Sequence, residues 1–339
     1  MKVIVTGGAG YIGSHTCVDL LINGHEVLVI DDLSNSSGKA LNSIKLISNK
    51  DILFVQQDLR NHKVIEKLFK DFRPDAVMHF AGLKAITESI EDPLRYYDVN
   101  VNGTISILKA MRNSHCKKIV FSSSATVYGI PNNLPIDENH SFDPVNPYGQ
   151  TKLFVEKLIQ AHTSSVSNFK SVILRYFNPV GAHNSGLIGE EIGTNPNNLV
   201  PFICKVAKFE KSHLNVYGKD YDTKDGTGVR DYIHVQDLAR AHVVVLESFN
   251  NFDDFTTFNV GTGNPYSVLE LIKTFEKITG LKIPHRFVQR RQGDVAKCWA
   301  EVDKIFQMTG WQAKYSLKEM LESAWNWEEN RANDKDFYK

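Results

Sequence analysis

Through the first half of the chain, short apolar runs rich in β-branched residues alternate with stretches of helical spacing. Residues 2–6, 26–31, 52–56, 76–79, 118–121 and 171–175 read as strands. Residues 14–24, a stretch ending near 49, and 63–72 read as helices, as does a longer stretch broken at Pro93 and ending before Cys116. A loop over 130–145, rich in Pro, Asn and Asp, precedes a helix that opens at Pro147 and runs to about residue 162. With a helix in every crossover, the strands should lie parallel in one doubly wound α/β sheet. The alternation fails beyond residue 177, where Gly, Asn and Pro crowd the chain to about residue 201. This predicts a first domain over 1–178 and a smaller C-terminal domain over 179–339, with residues around 258–261 returning as a strand to the first sheet. No internal repeat or low-complexity tract is present.

The first strand runs directly into Gly7-Gly-Ala-Gly10-Tyr-Ile-Gly13, followed by a helix and a second strand ending at Asp31. Without a Cβ, Gly7 and Gly10 can make a tight turn and let backbone amides approach a pyrophosphate, while Gly13 lets the helix pack close to the strand. The helix N-terminus adds unpaired N–H groups and the positive end of a dipole. A plain strand–turn–helix also favours glycine. The position after the first strand, the helix that follows and Asp31 about 20 residues on turn the triplet into a dinucleotide signature. Asp31 can accept hydrogen bonds from an adenosine ribose, and no Arg stands close behind it to receive a 2′-phosphate, which favours NAD over NADP. The first domain therefore reads as a Rossmann sheet binding NAD, with Asp58 just past the third strand at a carboxyl end.

Composition narrows the partners. At 339 residues there is room for two domains, and 42% apolar with 23% charged residues is ordinary for a globular protein. The 39 basic residues balance 39 acidic ones, so no basic field favours nucleic acid or an anionic membrane. No run approaches the ~20 apolar residues of a membrane span, and no secretory h-region opens the sequence. Cys17, Cys116, Cys204 and Cys298 lie too far apart for a zinc spacing or a disulfide framework. The expectation is a cytoplasmic, reduced protein without a metal.

Tyr148 and Lys152 stand four residues apart near the start of a helix, and so project from one face. A phenol near pKa ~10 is a poor base at neutral pH, and a neighbouring ammonium would favour the phenolate and bring it closer to working pH. A hydroxyl at Ser123 or Ser124, at the end of the fifth strand, can share a hydrogen bond with a substrate oxygen. Beside a nicotinamide, such a trio would remove a proton from an alcohol as its carbon gives up hydride. Alone, Tyr-x-x-x-Lys could be a chance surface pair; its place within a series of six βα repeats argues otherwise. Arg230 and Arg291, flanked by glycines in a net-neutral chain, suit bidentate phosphate binding.

Thr6-Gly-Gly-Ala-Gly-Tyr-Ile-Gly13, Phe80-Ala-Gly-Leu-Lys84, Ser122-Ser-Ser-Ala-Thr-Val-Tyr-Gly129, Tyr148-x-x-x-Lys152 and Arg175-Tyr-Phe-Asn-Pro-Val-Gly181 together resemble the extended short-chain dehydrogenase/reductases. With Pro196-Asn-Asn-Leu199, Gly226-Thr-Gly-Val-Arg-Asp-Tyr-Ile-His-Val235 and Arg290-Arg-Gln-Gly-Asp294, nearly the whole chain resembles the UDP-glucose 4-epimerase family within that group. The resemblance implies that Gly7, Gly10, Tyr11, Ile12 and Gly13 hold a pyrophosphate, Asp31 and Asn35 a ribose, and Asp58 and Leu59 an adenine. Phe80, Ala81, Gly82 and Lys84 would line the middle of NAD, and Lys84 would also reach substrate. It implies Tyr148 as base, Lys152 as its electrostatic partner and Ser124 as hydroxyl helper. Tyr176, Phe177 and Asn178 would face the nicotinamide and sugar, and Asn198, Arg230, Arg291 and Asp294 the uridine and diphosphate. Val99 departs from the Asn that the family often carries there.

The implied activity is 4-epimerisation of UDP-glucose and UDP-galactose, by transient oxidation at C4, rotation of the 4-keto sugar and return of hydride, in a homodimer. Cys298 would border the space where the hexose turns. Members restricted to plain hexoses place Tyr there, so a small thiol would also admit the acetamido group of UDP-GlcNAc and UDP-GalNAc. A nucleotide-sugar 4,6-dehydratase begins with the same oxidation but needs further acid/base groups, usually an Asp-Glu pair after the fifth strand, where this chain has Ser124-Ala125-Thr126. A cofactor-binding regulator without turnover would have little use for Tyr148, Lys152 and Ser124 together.

Overall fold

The computed structural model describes residues 1–191, 198–291 and 293–333. Strands and helices alternate as β1 (Lys2–Thr6), α1 (Tyr11–Ile22), β2 (Glu26–Asp31), α2 (Lys39–Ser48), β3 (Leu53–Gln56), α3 (His62–Phe72) and β4 (Ala76–His79). The helices α4 (Ile86–Glu91) and α5 (Pro93–Tyr97) then lead through a π-helical turn (Asp98–Asn102) into α6 (Gly103–Arg112). β5 (Lys118–Ser124), α7 (Pro147–Ser165) and β6 (Lys170–Tyr176) complete the series. The second half holds β7 (Asn178–Val180), α8 (Leu199–Ala207), β8 (Leu214–Tyr217), β9 (Val229–His234), α9 (Val235–Glu247), β10 (Phe255–Val260) and β11 (Pro265–Ser267). It ends with α10 (Val268–Thr279), β12 (His285–Val288), β13 (Lys297–Cys298), α11 (Asp303–Thr309) and α12 (Leu317–Asn333).

Seven parallel strands form the main sheet in the order β10-β6-β5-β4-β1-β2-β3. Side chains alternate across β1: Val3 and Val5 join the core beneath α1 and α9, while Ile4 joins the opposite core beneath α3 and α6. Both faces are covered, so the strands are apolar almost throughout. Chain order reverses between β1 and β4, and the crevice at their carboxyl ends is where such sheets bind ligands.

The remaining strands build a smaller layer over those carboxyl ends, with its own core around Ile203, Leu271, Phe275 and Leu321. β9 is its hub. β7 pairs with it in parallel, matching Asn178 to Tyr232, and so does β13, matching Cys298 to Arg230. Two segments of the second half return to the main sheet: β10 as its edge strand and α9, which packs along α1.

Several boundaries differ from those read in the sequence. α1 begins at Tyr11, because the Ser14 amide already donates to Gly10 O at 2.9 Å. β5 continues through Ser124, paired to Tyr176 on β6, so polar serines extend a strand that apolar pattern alone ends at Phe121. In the sequence motifs at 196–199 and 290–294, Pro196, Asn197 and Gln292 lie outside the described residues.

Candidate active site

The turn after β1 and the turn after β4 meet backbone to backbone. Gly7 has φ +71°, and a Cβ there would stand 2.6 Å from the Ala81 nitrogen; one on Gly13 would stand 2.2 Å from Gly7 O. Only glycine keeps this approach open. Asp31, buried at the end of β2, accepts from Ala9 N at 3.0 Å, Leu33 N at 2.9 Å and the Ser36 hydroxyl at 3.0 Å. These contacts aim a carboxylate into a cavity of about 1130 Å³ that runs along the sheet's carboxyl ends. All the residues expected at the cofactor line it, from Asp31, Asn35, Asp58 and Leu59 through Gly7–Gly13 and Phe80–Lys84 to Phe177, Tyr148 and Lys152. A cavity lined by the Asp31 carboxylate and by Cβ-free amides fits an NAD molecule. Val99 is part of the wall, and the polar contacts fall to its neighbour. Asn100 accepts from Leu83 N at 2.8 Å and donates to Leu83 O at 3.2 Å, holding the loop after β4.

Farther along the same cavity, α7 brings Tyr148 and Lys152 to the wall. Asn146 caps it, accepting from Gly149 N at 2.9 Å, and Pro147 takes the first helical position. Tyr148 comes against Ser124, while Ser123 points away to Glu156, so the geometry selects Ser124 as the hydroxyl of the pair considered. Ser124 Oγ is itself held by Thr126, accepting from its N at 3.2 Å and its Oγ1 at 3.0 Å.

The expected lowering of the Tyr148 phenol by Lys152 is not what this structure shows. Burial pushes the phenol up to about 12, with only the Ser124 hydrogen bond opposing. Lys152 Nζ donates to Ser122 O at 2.8 Å and lies 5.9 Å from the Tyr148 ring centre, so its hydrogen bond goes to the strand end while its positive charge stays beside the phenol ring. Burial brings the ammonium down to about 8, opposed by Glu156 one turn along.

Of the residues expected at the substrate, Lys84, Tyr176, Asn178 and Asn198 also line this cavity, with Ser124 and Tyr148. Tyr176 shares a hydrogen bond with the Ser122 hydroxyl. Lys84 pairs with Glu190 at 2.9 Å, and Asn198 donates to the same carboxylate at 2.6 Å. Tyr11 reaches across to Gly181 O at 2.6 Å, and Asp58 is held by Arg60 Nε at 3.0 Å. Arg230, Arg291, Asp294 and Cys298 stand apart from the cavity wall, on and around β9 and β13. There Arg230 Nη2 lies 3.8 Å from Asp294, and Arg291 lies 4.2 Å over the Tyr217 ring. Asn178 on β7 pairs with Tyr232, two residues or about 7 Å along β9 from Arg230, which ties the cavity wall to this second group.

Glu156, Arg175, Glu190 and Asn100 went unread in the sequence. Glu156 had a signal, since it continues the spacing of four from Tyr148 through Lys152. Glu190 had none, lying in an irregular stretch whose path only the fold determines. Among the described residues no group of three or more His, Cys, Asp or Glu could hold a metal ion, and no helix is long and apolar enough to cross a membrane.

Known proteins share this architecture. The family model for GDP-mannose 4,6 dehydratase matches residues 4–324. A UDP-glucose 4-epimerase from Bacillus subtilis is 50% identical over 333 residues, covering 98% of each chain. The crystal structure of a UDP-glucose 4-epimerase from Stenotrophomonas maltophila, with bound NAD and formylated UDP-arabinopyranose, superimposes with a TM-score of 0.96 at 45% identity, covering 98% of this chain and 99% of that one. One from Bifidobacterium longum, in complex with NAD+ and UDP, gives 0.94 at 45% identity over 98% and 99%.

Proposed function

The chain belongs to the UDP-glucose 4-epimerases of the extended short-chain dehydrogenase/reductase family, and from that premise we propose that it interconverts UDP-glucose and UDP-galactose, using NAD, in galactose metabolism. The observation that carries the proposal is Tyr148 seated against Ser124, with Lys152 one turn along, at the far end of the cavity that Asp31 opens. Bound NAD supplies a hydride acceptor and donor for the sugar C4, and a positive ring that favours a phenolate nearby. Tyr148 Oη takes the proton of the 4-hydroxyl as the C4–H bond breaks and returns it when that bond re-forms on the opposite face. Ser124 orients the same oxygen, and Lys152 supplies positive charge and a ribose anchor. Between the two transfers the 4-keto sugar must turn over, so firm contacts belong on the UDP and few on the hexose. In this reading Arg230 and Arg291, with Asp294 and Asn198, would supply that anchoring, and the ability of a guanidinium to grip a phosphate bidentately supports it.

A 4,6-dehydratase is disfavoured by Ala125 and Thr126, which put no carboxylate beside Tyr148. The proposed division of labour gives NAD to residues 1–178, with α9 and β10, and UDP-sugar to the rest of 179–339. Ile90, Leu94 and Phe154 stay exposed on α4, α5 and α7, which pack together, and this apolar surface supports a homodimer. The neutral charge balance and free cysteines support a cytoplasmic setting. Cys298, small and pushed up to about 11 by burial, supports acceptance of UDP-GlcNAc and UDP-GalNAc as well. The test is product analysis: purified protein with no added cofactor, given UDP-glucose, should form UDP-galactose. No product, or a dehydrated 4-keto-6-deoxy sugar, would overturn the reading.

A further inference from the structure

β5 ends in three consecutive serines, and side-chain alternation puts Ser122 and Ser124 on one face and Ser123 on the other. The site face carries the bond from Lys152 to Ser122 O at 2.8 Å and the contact of Ser124 with Tyr148. On the opposite face Ser123, wholly buried, donates to Glu156 of α7. That carboxylate also accepts from Arg175 Nε at 3.0 Å and Nη2 at 2.7 Å, and the two side chains are only 3% and 4% exposed. Arg175 stands beside Ser123 in the β5–β6 register. It donates onward to Tyr128 Oη at 3.0 Å, and Tyr128 in turn donates to Asn259 of β10 at 2.7 Å. A continuous polar strut therefore joins the catalytic helix to three adjacent strands, directly behind the reacting hydroxyls.

We propose that Glu156 is a positioning residue for the reaction: paired with Arg175, it anchors Ser123 and so aims the Ser122 carbonyl at Lys152 and the Ser124 hydroxyl at Tyr148. The identity of that reaction rests on the epimerase reading. Stability alone is a poor reason for the strut, because well-packed apolar residues of similar volume often replace buried ion pairs at no loss. Apolar residues could not accept the Ser123 hydrogen bond, and without it the last residues of β5 are held only by the β6 ladder on that side. The same carboxylate lies one turn from Lys152 and opposes the loss of its proton.

The test uses the NAD-loaded protein and two variants. Ser123→Ala removes only the anchored hydroxyl, while Glu156→Leu combined with Arg175→Met removes both charges and strands neither. Both are expected to keep bound NAD and a KM for UDP-glucose within about two-fold, with kcat lower on the order of 10-fold or more, as misaimed reacting groups produce. Amide hydrogens over 122–126 should exchange about 10-fold faster in Ser123→Ala. A kcat within about two-fold of the parent in both variants overturns the proposal. If the parent turns over no UDP-hexose, the epimerase reading fails by itself. Hydrogen exchange then decides the anchoring, and unchanged rates over 122–126 in Ser123→Ala overturn it.

Discussion

The proposed proton chemistry rests on one oxygen, and removing it should separate catalysis from binding. Tyr148→Phe keeps the ring in the cavity wall and loses the hydroxyl that meets Ser124. Turnover is expected to fall at least ~100-fold, the low end for a lost general base, with NAD content and melting temperature near those of the parent. Near-normal turnover would remove Tyr148 from the mechanism. Sequence spacing put Tyr148 and Lys152 on one face, but it does not report where a flexible four-carbon stem ends. The Ser122 carbonyl takes that ammonium's hydrogen bond, and burial is the largest influence on the phenol. Cys298 offers the complementary test on substrate choice. Filling its place with a phenol ring in Cys298→Tyr should suppress conversion of UDP-GlcNAc while sparing UDP-glucose, because added bulk rejects by clash more sharply than a pocket selects by fit. Brisk turnover of UDP-glucose with none of UDP-GlcNAc in the unmodified protein would defeat the substrate proposal.

Among the elements, the β1–α1 turn has the least tolerance. A Cβ at Gly13 would meet Gly7 O at 2.2 Å, so Gly13→Ala must shift α1 away from β1 and carry its N-terminal amides with it. The purified variant is expected to retain less than about a tenth of the parent's bound cofactor, measured after release by unfolding. Retention equal to the parent would show that the turn does not hold the pyrophosphate. Elements such as this were legible because parallel strands covered on both faces are nearly continuous apolar runs, and the glycines mark the turn between them. The π-helical turn at Asp98–Asn102 was not legible. Its extra residue carries no local pattern, yet it turns Asn100 inward to Leu83 and to Thr151 Oγ1 at 3.0 Å, tying the cofactor loop to α7. β11, β12 and β13 were missed for a different reason. They are two to four residues long, and β12 is largely exposed, so partners distant in sequence rather than local periodicity create them.

The whole molecule carries an acid sensitivity that no single motif suggests. His15 on α1, His79 ending β4, His234 ending β9 and His242 on α9 are all buried where the main sheet meets its covering layers. Each is bonded in its neutral form: His79 lies between Thr6 Oγ1 at 2.6 Å and Thr104 Oγ1 at 2.9 Å, and His234 Nδ1 accepts from Gln236 N at 3.0 Å. Nε2 of both His15 and His242 is buried without a partner, and a proton there would be a bare charge. Burial accordingly lowers His15 and His79 to about 3, and His234 and His242 to about 4. The unfolded chain takes up these protons near pH ~6.5 and the folded chain does not, so stability falls as pH drops from about 6.5 towards 4. At pH 5 each site costs about 2 kcal/mol, and the four together, about 8 kcal/mol, fall within the ~5–15 kcal/mol by which a domain is stable. Asp231 and Asp237, whose carboxyls burial raises, act with the opposite sign and return part of this as they protonate. Lys152, lowered to about 8, adds a gain in stability as pH rises from about 8 to 10. Melting temperature is therefore expected to fall by on the order of 10 °C between pH 7 and pH 5. In His242→Leu, which buries no titrating group at that position, the fall should be shallower. A melting temperature level across that interval would show that these histidines are not held neutral by the fold.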